Sequence, residues 1–141
     1  AIPEDFTAPT QPISDLTFSP PPLTEKNMWG VTMFDQLACR IDFLSMKYEG
    51  RYTPPSLEGT IVYPGNFGTF NWGGVAVDPV RQVMFGMPTY LAFTSKLIPR
   101  ADVPPPDDKK GSEQGLNRND GAPYAVVMGP FLSPLGVPCS A

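Results

Sequence analysis

Histidine is absent from the 141-residue chain, and cysteine occurs only twice, as Cys39 and Cys139. Without histidine there is no Ser-His-Asp or Cys-His nucleophile and no HExxH metalloprotease motif, and the common zinc sites lose a main ligand. The two cysteines lie too far apart for a CxxC metal or redox motif. These catalytic and metal-binding classes are therefore excluded.

Concentrated positive charge and long apolar runs are also lacking. The chain has 10 basic and 14 acidic residues, a formal charge of −4, and no basic cluster, so a nucleic-acid partner is not expected. No apolar run approaches the roughly 18 residues that cross a membrane. The chain lacks an initiator methionine and a signal-peptide pattern, so we expect a processed or excised segment.

Proline and glycine are abundant, with 19 and 13 residues, about twice their usual share. Hydrophobic residues nevertheless make up 41% of the chain, which is too apolar for disorder. We therefore expect a packed, loop-rich, mainly β structure. The proline-rich residues 1–27 are expected to form either an extended arm that packs on the rest of the protein or a linker, and the polar residues 100–122 an exposed loop.

One helix is predicted near residues 33–48, where apolar side chains recur with a 3.6-residue period. Thr32 is a suitable N-cap, and Asp35 suits the positive end of the helix, so a structural role of Asp35 is preferred to catalysis. Gly50 is the expected stop signal. The predicted apolar face consists of Phe34, Leu37, Ala38, Ile41, Leu44 and Tyr48.

Apart from the helix, residues 28–99 are predicted to form short strands. The tail, 123–141, is predicted to begin with a strand that ends where prolines follow. β-Branched and aromatic runs flanked by turn residues mark strands at 60–63, 90–94 and 124–128. A hairpin is expected over 74–87, with Asp78 in its turn. So few strands rarely make a self-contained sandwich or barrel, so we expect neighbouring sequence to complete the sheets.

The glycine-rich stretch 64–79 is the most unusual part of the chain. Its glycines surround Asn71 and Trp72, and glycine lets a ligand or a flat ring approach the backbone closely. Asn71 can donate or accept a hydrogen bond, and Trp72 offers an aromatic face. From the residues alone, a β-bulge with a packing tryptophan remains the alternative to a ligand site.

Several blocks resemble the membrane-bound quinoprotein dehydrogenases, which use pyrroloquinoline quinone (PQQ), in particular the glucose and quinate/shikimate branches. The blocks keep the family's order over nearly the whole chain and comprise residues 28–40, 48–56, 64–79, 95–100 and 130–139. The resemblance implies an eight-bladed β-propeller. Residues 1–141 would form about two of its blades, with long insertions.

The resemblance implies that the parent protein oxidises a sugar or cyclic polyol, such as glucose or quinate/shikimate, with PQQ. Ca²⁺ or Mg²⁺ would polarise the quinone, and ubiquinone would receive the electrons. The parent would be anchored on the periplasmic side of the bacterial inner membrane. The family's catalytic aspartate and lysine and its metal ligands have no match here, so the segment would carry no catalytic or metal-binding residue and be inactive alone.

Within the segment the resemblance implies two cofactor-binding residues, Asn71 and Trp72. Glucose dehydrogenases carry an acid where this chain has Asn71, which favours quinate, shikimate or another polyol as the substrate. Cys39 and Cys139 either pair in the periplasm or stay reduced, and the sequence leaves both open. The alternative to an enzyme segment is a non-enzymatic β-rich module whose proline-rich arms bind partners.

Overall fold

The computed structural model describes residues 17–70, 73–105 and 115–140. Over these ranges the protein is mainly β, as predicted, with short 3-10 turns at Glu25–Asn27 and Arg100–Asp102. The helix and strands are α1 (Met33–Ser45), β1 (Thr60–Val62), β2 (Val75–Asp78), β3 (Val83–Gly86), β4 (Phe93–Pro99), β5 (Leu116–Asn117) and β6 (Tyr124–Pro130).

Four strands form an antiparallel sheet in the order β1-β4-β6-β5. Its longest pairing joins β4 to β6, with Phe93 opposite Pro130 and Pro99 opposite Tyr124. Strands β2 and β3 form a separate antiparallel hairpin between β1 and β4 in the chain, where the sequence predicts one. The sheet and the hairpin are the two β units of the described residues.

Two strand predictions differ from the structure. Strand β4 begins at Phe93 instead of residue 90, because Leu91 and Ala92 make hydrogen bonds to other segments: the Leu91 carbonyl accepts from Gly65 N–H and the Ala92 carbonyl from Phe131 N–H. The loop predicted over 100–122 contains β5, which pairs with β6. Backbone hydrogen bonding to another segment decided both differences.

The start of α1 is as predicted, and its end is not. The Thr32 hydroxyl accepts a hydrogen bond from Asp35 N–H at 3.2 Å, which is the expected cap. The helix ends at Ser45, three residues before the predicted end. Lys47 instead donates its N–H to the Gly59 carbonyl and accepts from Ile61 N–H, so the backbone leaves the helix to pair beside β1.

Most of the apolar face predicted for α1 points away from the core, whereas Tyr48, beyond the end of the helix, packs against the core. Four of its side chains are 52–77% exposed, namely Phe34, Leu37, Ile41 and Leu44. The buried face instead carries Asp35, Cys39 and Phe43. Cys39 lies inward because it is bonded to the tail, and Asp35 because its carboxylate accepts from Val31 N–H and Leu135 N–H.

A disulfide joins Cys39 of α1 to Cys139 of the tail, across a sequence separation of 100. This answers the question that the sequence left open. Both cysteines are fully buried. Around them lies the core of the described residues, formed by Leu23, Met28, Phe43, Ile61, Tyr63, Ala92 and Phe131.

None of the helices within the described ranges is long and apolar enough to cross a membrane.

Replacing both cysteines by alanine should lower the free energy of unfolding by about 2–5 kcal/mol, because the unfolded chain regains the freedom of a long loop. Urea unfolding of wild type and Cys39→Ala/Cys139→Ala measures the difference. As a control, a reducing agent should bring the wild type to the stability of the variant. Equal midpoints for the oxidised wild type and the variant would contradict the prediction.

Candidate functional site

The predicted cofactor-binding residues, Asn71 and Trp72, lie outside the described residues. The two flanks of the glycine-rich stretch, 64–70 and 73–79, are described. The site is therefore built from these flanks and from the segments that they contact.

The glycines of the stretch have two different roles. A Cβ atom on Gly65 would lie 2.3 Å from the Phe93 ring and 2.6 Å from the Leu91 carbonyl oxygen, so Gly65 allows close packing of two segments. A Cβ on Gly73 or Gly74 would meet nothing within 4 Å. No described atom outside their chain neighbours therefore restricts a side chain at these two positions.

The first flank runs beside residues 89–91. Gly65 N–H donates to the Leu91 carbonyl at 2.7 Å, and Thr89 N–H donates to the Thr69 carbonyl at 2.9 Å. The two hydrogen bonds fix the position of the chain just before Asn71.

Residues 89–91 also line an open depression of about 360 Å³, together with Trp29, Pro138 and Ser140. The Trp29 side chain is 47% exposed, and its backbone N–H donates to the Cys139 carbonyl at 2.7 Å. The Ser140 hydroxyl accepts from Ala92 N–H at 3.2 Å. Residues from three distant parts of the chain therefore line this one depression.

A second depression, of about 550 Å³, is lined by residues 17–23 with Asn27, Tyr63 and Tyr90. The Tyr90 hydroxyl donates to the Phe18 carbonyl. Burial, and then the neighbouring Tyr48 and Tyr90, raise the pKa of the Tyr63 phenol. The Tyr63 phenol is therefore neutral at physiological pH.

Metal-ligating side chains do not cluster in this part of the molecule. Within the described ranges there is no group of three or more Cys, Asp or Glu able to hold a cation. These residues therefore do not fit a divalent cation, and we assign no chemical step to one here.

The carboxylates near the site have structural roles. Asp35 is 3% exposed, and its carboxylate accepts from Val31 N–H and Leu135 N–H. The Asp78 carboxylate accepts from Val80 N–H and Arg81 N–H, both at 3.0 Å, and pairs with the Arg81 guanidinium at 2.8 Å. Asp78 therefore closes the hairpin turn, as the sequence predicts.

Sequence reasoning missed Trp29 and residues 89–91 as candidate site residues. Trp29 lies on the depression because Met28 pairs with Ser140, and Thr89 because it pairs with Thr69. No local sequence signal marks such pairings. The half-exposed tryptophan became informative only with the fold.

Residues 1–141 match the family model described as "PQQ: Glucose/ethanol/alcohol dehydrogenase, beta-propeller domain". The chain belongs to this PQQ-dependent dehydrogenase family. The fold is accordingly that of a part of a PQQ β-propeller domain, with antiparallel sheets and one helix in the described residues. The number of blades stays a prediction.

Curated relatives agree with this assignment. The chain is 52% identical over 141 residues to the quinoprotein glucose dehydrogenase of Escherichia coli (strain K12). This alignment covers 96% of the chain and 18% of the relative. It is 51% identical to quinoprotein glucose dehydrogenase A of Acinetobacter calcoaceticus, over 96% of the chain and 17% of the relative.

A third relative, the probable quinate dehydrogenase (quinone) of Xanthomonas campestris pv. juglandis, is 42% identical over 95% of the chain and 18% of its own length. The chain thus spans less than a fifth of the length of these PQQ-family relatives. No solved structure matches it significantly.

The hydrogen bonds from Arg81 hold the pKa of the Asp78 carboxyl below its usual value. The folded hairpin turn is therefore favoured above the ordinary carboxylate pKa and loses this support as pH falls through the lowered pKa. An NMR titration of the Asp78 carboxyl should show the lowest pKa in wild type and a higher one in Arg81→Ala, which loses the guanidinium but keeps the two backbone N–H donors.

Arg51→Ala is the matched control, because it removes the same charge from an exposed arginine outside the hairpin. It should leave the Asp78 titration unchanged. An Asp78 pKa that is the same in wild type and Arg81→Ala would disprove the assigned role of the ion pair.

Proposed function

We propose that this chain is part of a PQQ-dependent dehydrogenase that oxidises a sugar or a cyclic polyol. The observation that carries the proposal is the family match over residues 1–141, supported by identities of 50–52% to quinoprotein glucose dehydrogenases. The quinate dehydrogenase relative stands at 42%. These identities weigh against the preference for quinate or shikimate that Asn71 alone suggests.

The role proposed for this segment is to form one side of the cofactor pocket, with Asn71 and Trp72 facing PQQ. When bound, PQQ supplies the two-electron acceptor for the alcohol carbon. Asn71 orients the cofactor by a hydrogen bond and Trp72 packs against it. The open backbone at Gly73 and Gly74 leaves room for the cofactor.

The remaining machinery is proposed to come from the rest of the parent protein. The general base, the lysine that contacts the quinone and the ligands of Ca²⁺ or Mg²⁺ would lie outside residues 1–141. Electrons would then pass to ubiquinone at the periplasmic side of the inner membrane. The isolated segment is therefore expected to be inactive.

Exposed apolar surfaces support the proposal that this chain is one part of a larger domain. The outer face of α1 carries four side chains that are more than half exposed, and the β2–β3 hairpin exposes Val77 and Phe85 on opposite faces at 62% and 64%. Soluble proteins rarely leave such surfaces uncovered. We propose that the rest of the propeller covers them. Within this chain we propose the following organisation: an arm (1–27), a helix with blade strands (28–99), a loop (100–122), and a strand with the tail (123–141).

Asn71→Ala in the parent dehydrogenase should raise the Kd for PQQ about tenfold, as expected for the loss of one hydrogen bond to a charged cofactor. Titration of the PQQ-free protein with PQQ measures this directly. Asn66→Ala is the control, because Asn66 is an exposed asparagine on the same stretch. Equal Kd values for all three proteins would refute the assignment of Asn71.

The isolated 141-residue chain, supplied with PQQ, Ca²⁺ and a dye acceptor, should show no turnover of glucose or quinate. The physical reason is that no described cluster supplies a metal site, and the family's base has no match here. The parent dehydrogenase assayed under the same conditions is the positive control. Sustained turnover by the isolated chain would show that the base and the metal ligands lie within it.

A further inference from the structure

We propose that Phe18, Phe70 and Gly86 are positioning residues for the cofactor-binding pair, Asn71 and Trp72. The inference rests on the proposed function, because it takes this pair as the residues that face PQQ. It adds the contacts by which the fold fixes the stretch that carries the pair, and it gives the proline-rich arm a role in cofactor binding.

The two described residues that bracket the pair both meet Gly86 of β3. Before the pair, the Phe70 ring lies over Gly86, since a Cβ there would be 2.6 Å from Phe70 Cε1 and 3.0 Å from Cζ. After the pair, Val75 of β2 lies opposite Gly86 in the hairpin. Only the four residues 71–74 connect these two anchors. A connection as short as this between fixed ends has few conformations available to it.

The arm also contacts the Phe70 ring. Phe18 and Phe70 meet edge to face, with ring centroids 4.9 Å apart and an interplanar angle of 79°, an arrangement that aromatic pairs favour. Phe18 approaches β3 as well, since a Cβ on Gly86 would be 3.5 Å from Phe18 Cε1. The Phe70 side chain is therefore held by both the arm and the hairpin, and packing of this kind fixes a rotamer beside a binding site.

The core in turn holds the arm. The Tyr90 hydroxyl donates to the Phe18 carbonyl. Tyr90 packs against the core, where its ring centroid lies 6.5 Å from that of Tyr63. Further along the arm, the buried Leu23 donates its N–H to the Tyr48 hydroxyl at 3.2 Å. The arm is therefore fixed at two points, and it transmits the rigidity of the core to the stretch that carries the pair.

Gly86 is required by the Phe70 ring and not by its own backbone angles. Its φ lies outside the left-handed region that favours glycine, so an alanine would not strain the backbone. The added Cβ would nevertheless come too close to Phe70 Cε1, and the ring would have to shift. A single methyl group on β3 therefore displaces the anchor that directly precedes Asn71.

The test uses the full-length parent dehydrogenase, prepared without PQQ and titrated with it. Phe18→Ala and Gly86→Ala should each raise the Kd for PQQ about threefold to tenfold, because a misplaced Asn71 loses much of its hydrogen bond. Phe18→Tyr keeps the edge-to-face contact and should bind as wild type does. In an Asn71→Ala background, Phe18→Ala should raise the Kd by less than it does in wild type, because it acts through Asn71.

Gly129→Ala is the matched control for Gly86→Ala. Gly129 is also a strand glycine with φ outside the left-handed region, but a Cβ there would meet nothing within 4 Å. Phe34→Ala is the control for Phe18→Ala, because it truncates the same kind of side chain on the outer face of α1. Both controls should keep the wild-type Kd for PQQ.

Hydrogen–deuterium exchange of the PQQ-free protein gives a readout that does not involve the cofactor. In Phe18→Ala and Gly86→Ala, the amides of residues 68–75 should exchange about threefold to tenfold faster than in wild type. The amides of the paired strands β4 and β6 should keep their wild-type rates, because the loss of order is local. A role in general stability would instead raise exchange in both places.

Wild-type Kd values in both Phe18→Ala and Gly86→Ala would overturn the inference, as would faster exchange throughout β4 and β6 or an undiminished effect of Phe18→Ala in the Asn71→Ala background. If Phe18→Ala does not fold, Phe18→Leu replaces it beside Gly86→Ala. A wild type that binds no PQQ removes the proposed function and this inference with it. If wild type binds PQQ and Asn71→Ala weakens binding, while the Phe18 and Gly86 variants match wild type, this inference alone fails.

Discussion

The attachment of the tail to α1 is the constraint on which the other features of this molecule depend. The Cys39–Cys139 disulfide closes a sequence separation of 100 residues, and the Asp35 carboxylate adds a hydrogen bond from Leu135 N–H at the same separation. Bringing such distant segments together costs chain entropy, and a covalent bond limits that cost. Trp29 and Pro138, which line the open depression, lie beside this attachment, because Trp29 N–H bonds to the Cys139 carbonyl.

Local signals in the sequence predicted the elements whose chemistry is local. Thr32 marks the start of α1 because its hydroxyl caps Asp35 N–H, and Asp78 marks the hairpin turn because its carboxylate accepts from two backbone N–H groups. The end and the inner face of α1 were not predictable in this way. Lys47 leaves the helix to pair with residues beside β1, and a buried Asp35 does not count as apolar in any periodicity.

The candidate site likewise combines features with a local sequence signal and features that only the fold reveals. Glycine content and the family resemblance pointed to Asn71 and Trp72. The glycines of this stretch, however, have two different physical roles, which their number alone does not distinguish. Gly65 is needed because the Phe93 ring and the Leu91 carbonyl leave no room for a Cβ, whereas Gly73 and Gly74 face open space. The depression beside Trp29 had no sequence signal, because its walls come from three segments that only the fold brings together.

The pattern of exposed surface distinguishes a part of a larger domain from an independent binding module. An independent module would be expected to bury its apolar faces and to close or shield its strand edges. Here β2 pairs only with β3 within the described residues, and Val77 and Phe85 leave both faces of that ribbon apolar and open. A two-stranded ribbon of this kind is marginally stable alone, and only neighbours on both sides can cover it. In a propeller each blade lies between two others, which meets that requirement, whereas α1 needs a neighbour on one face only.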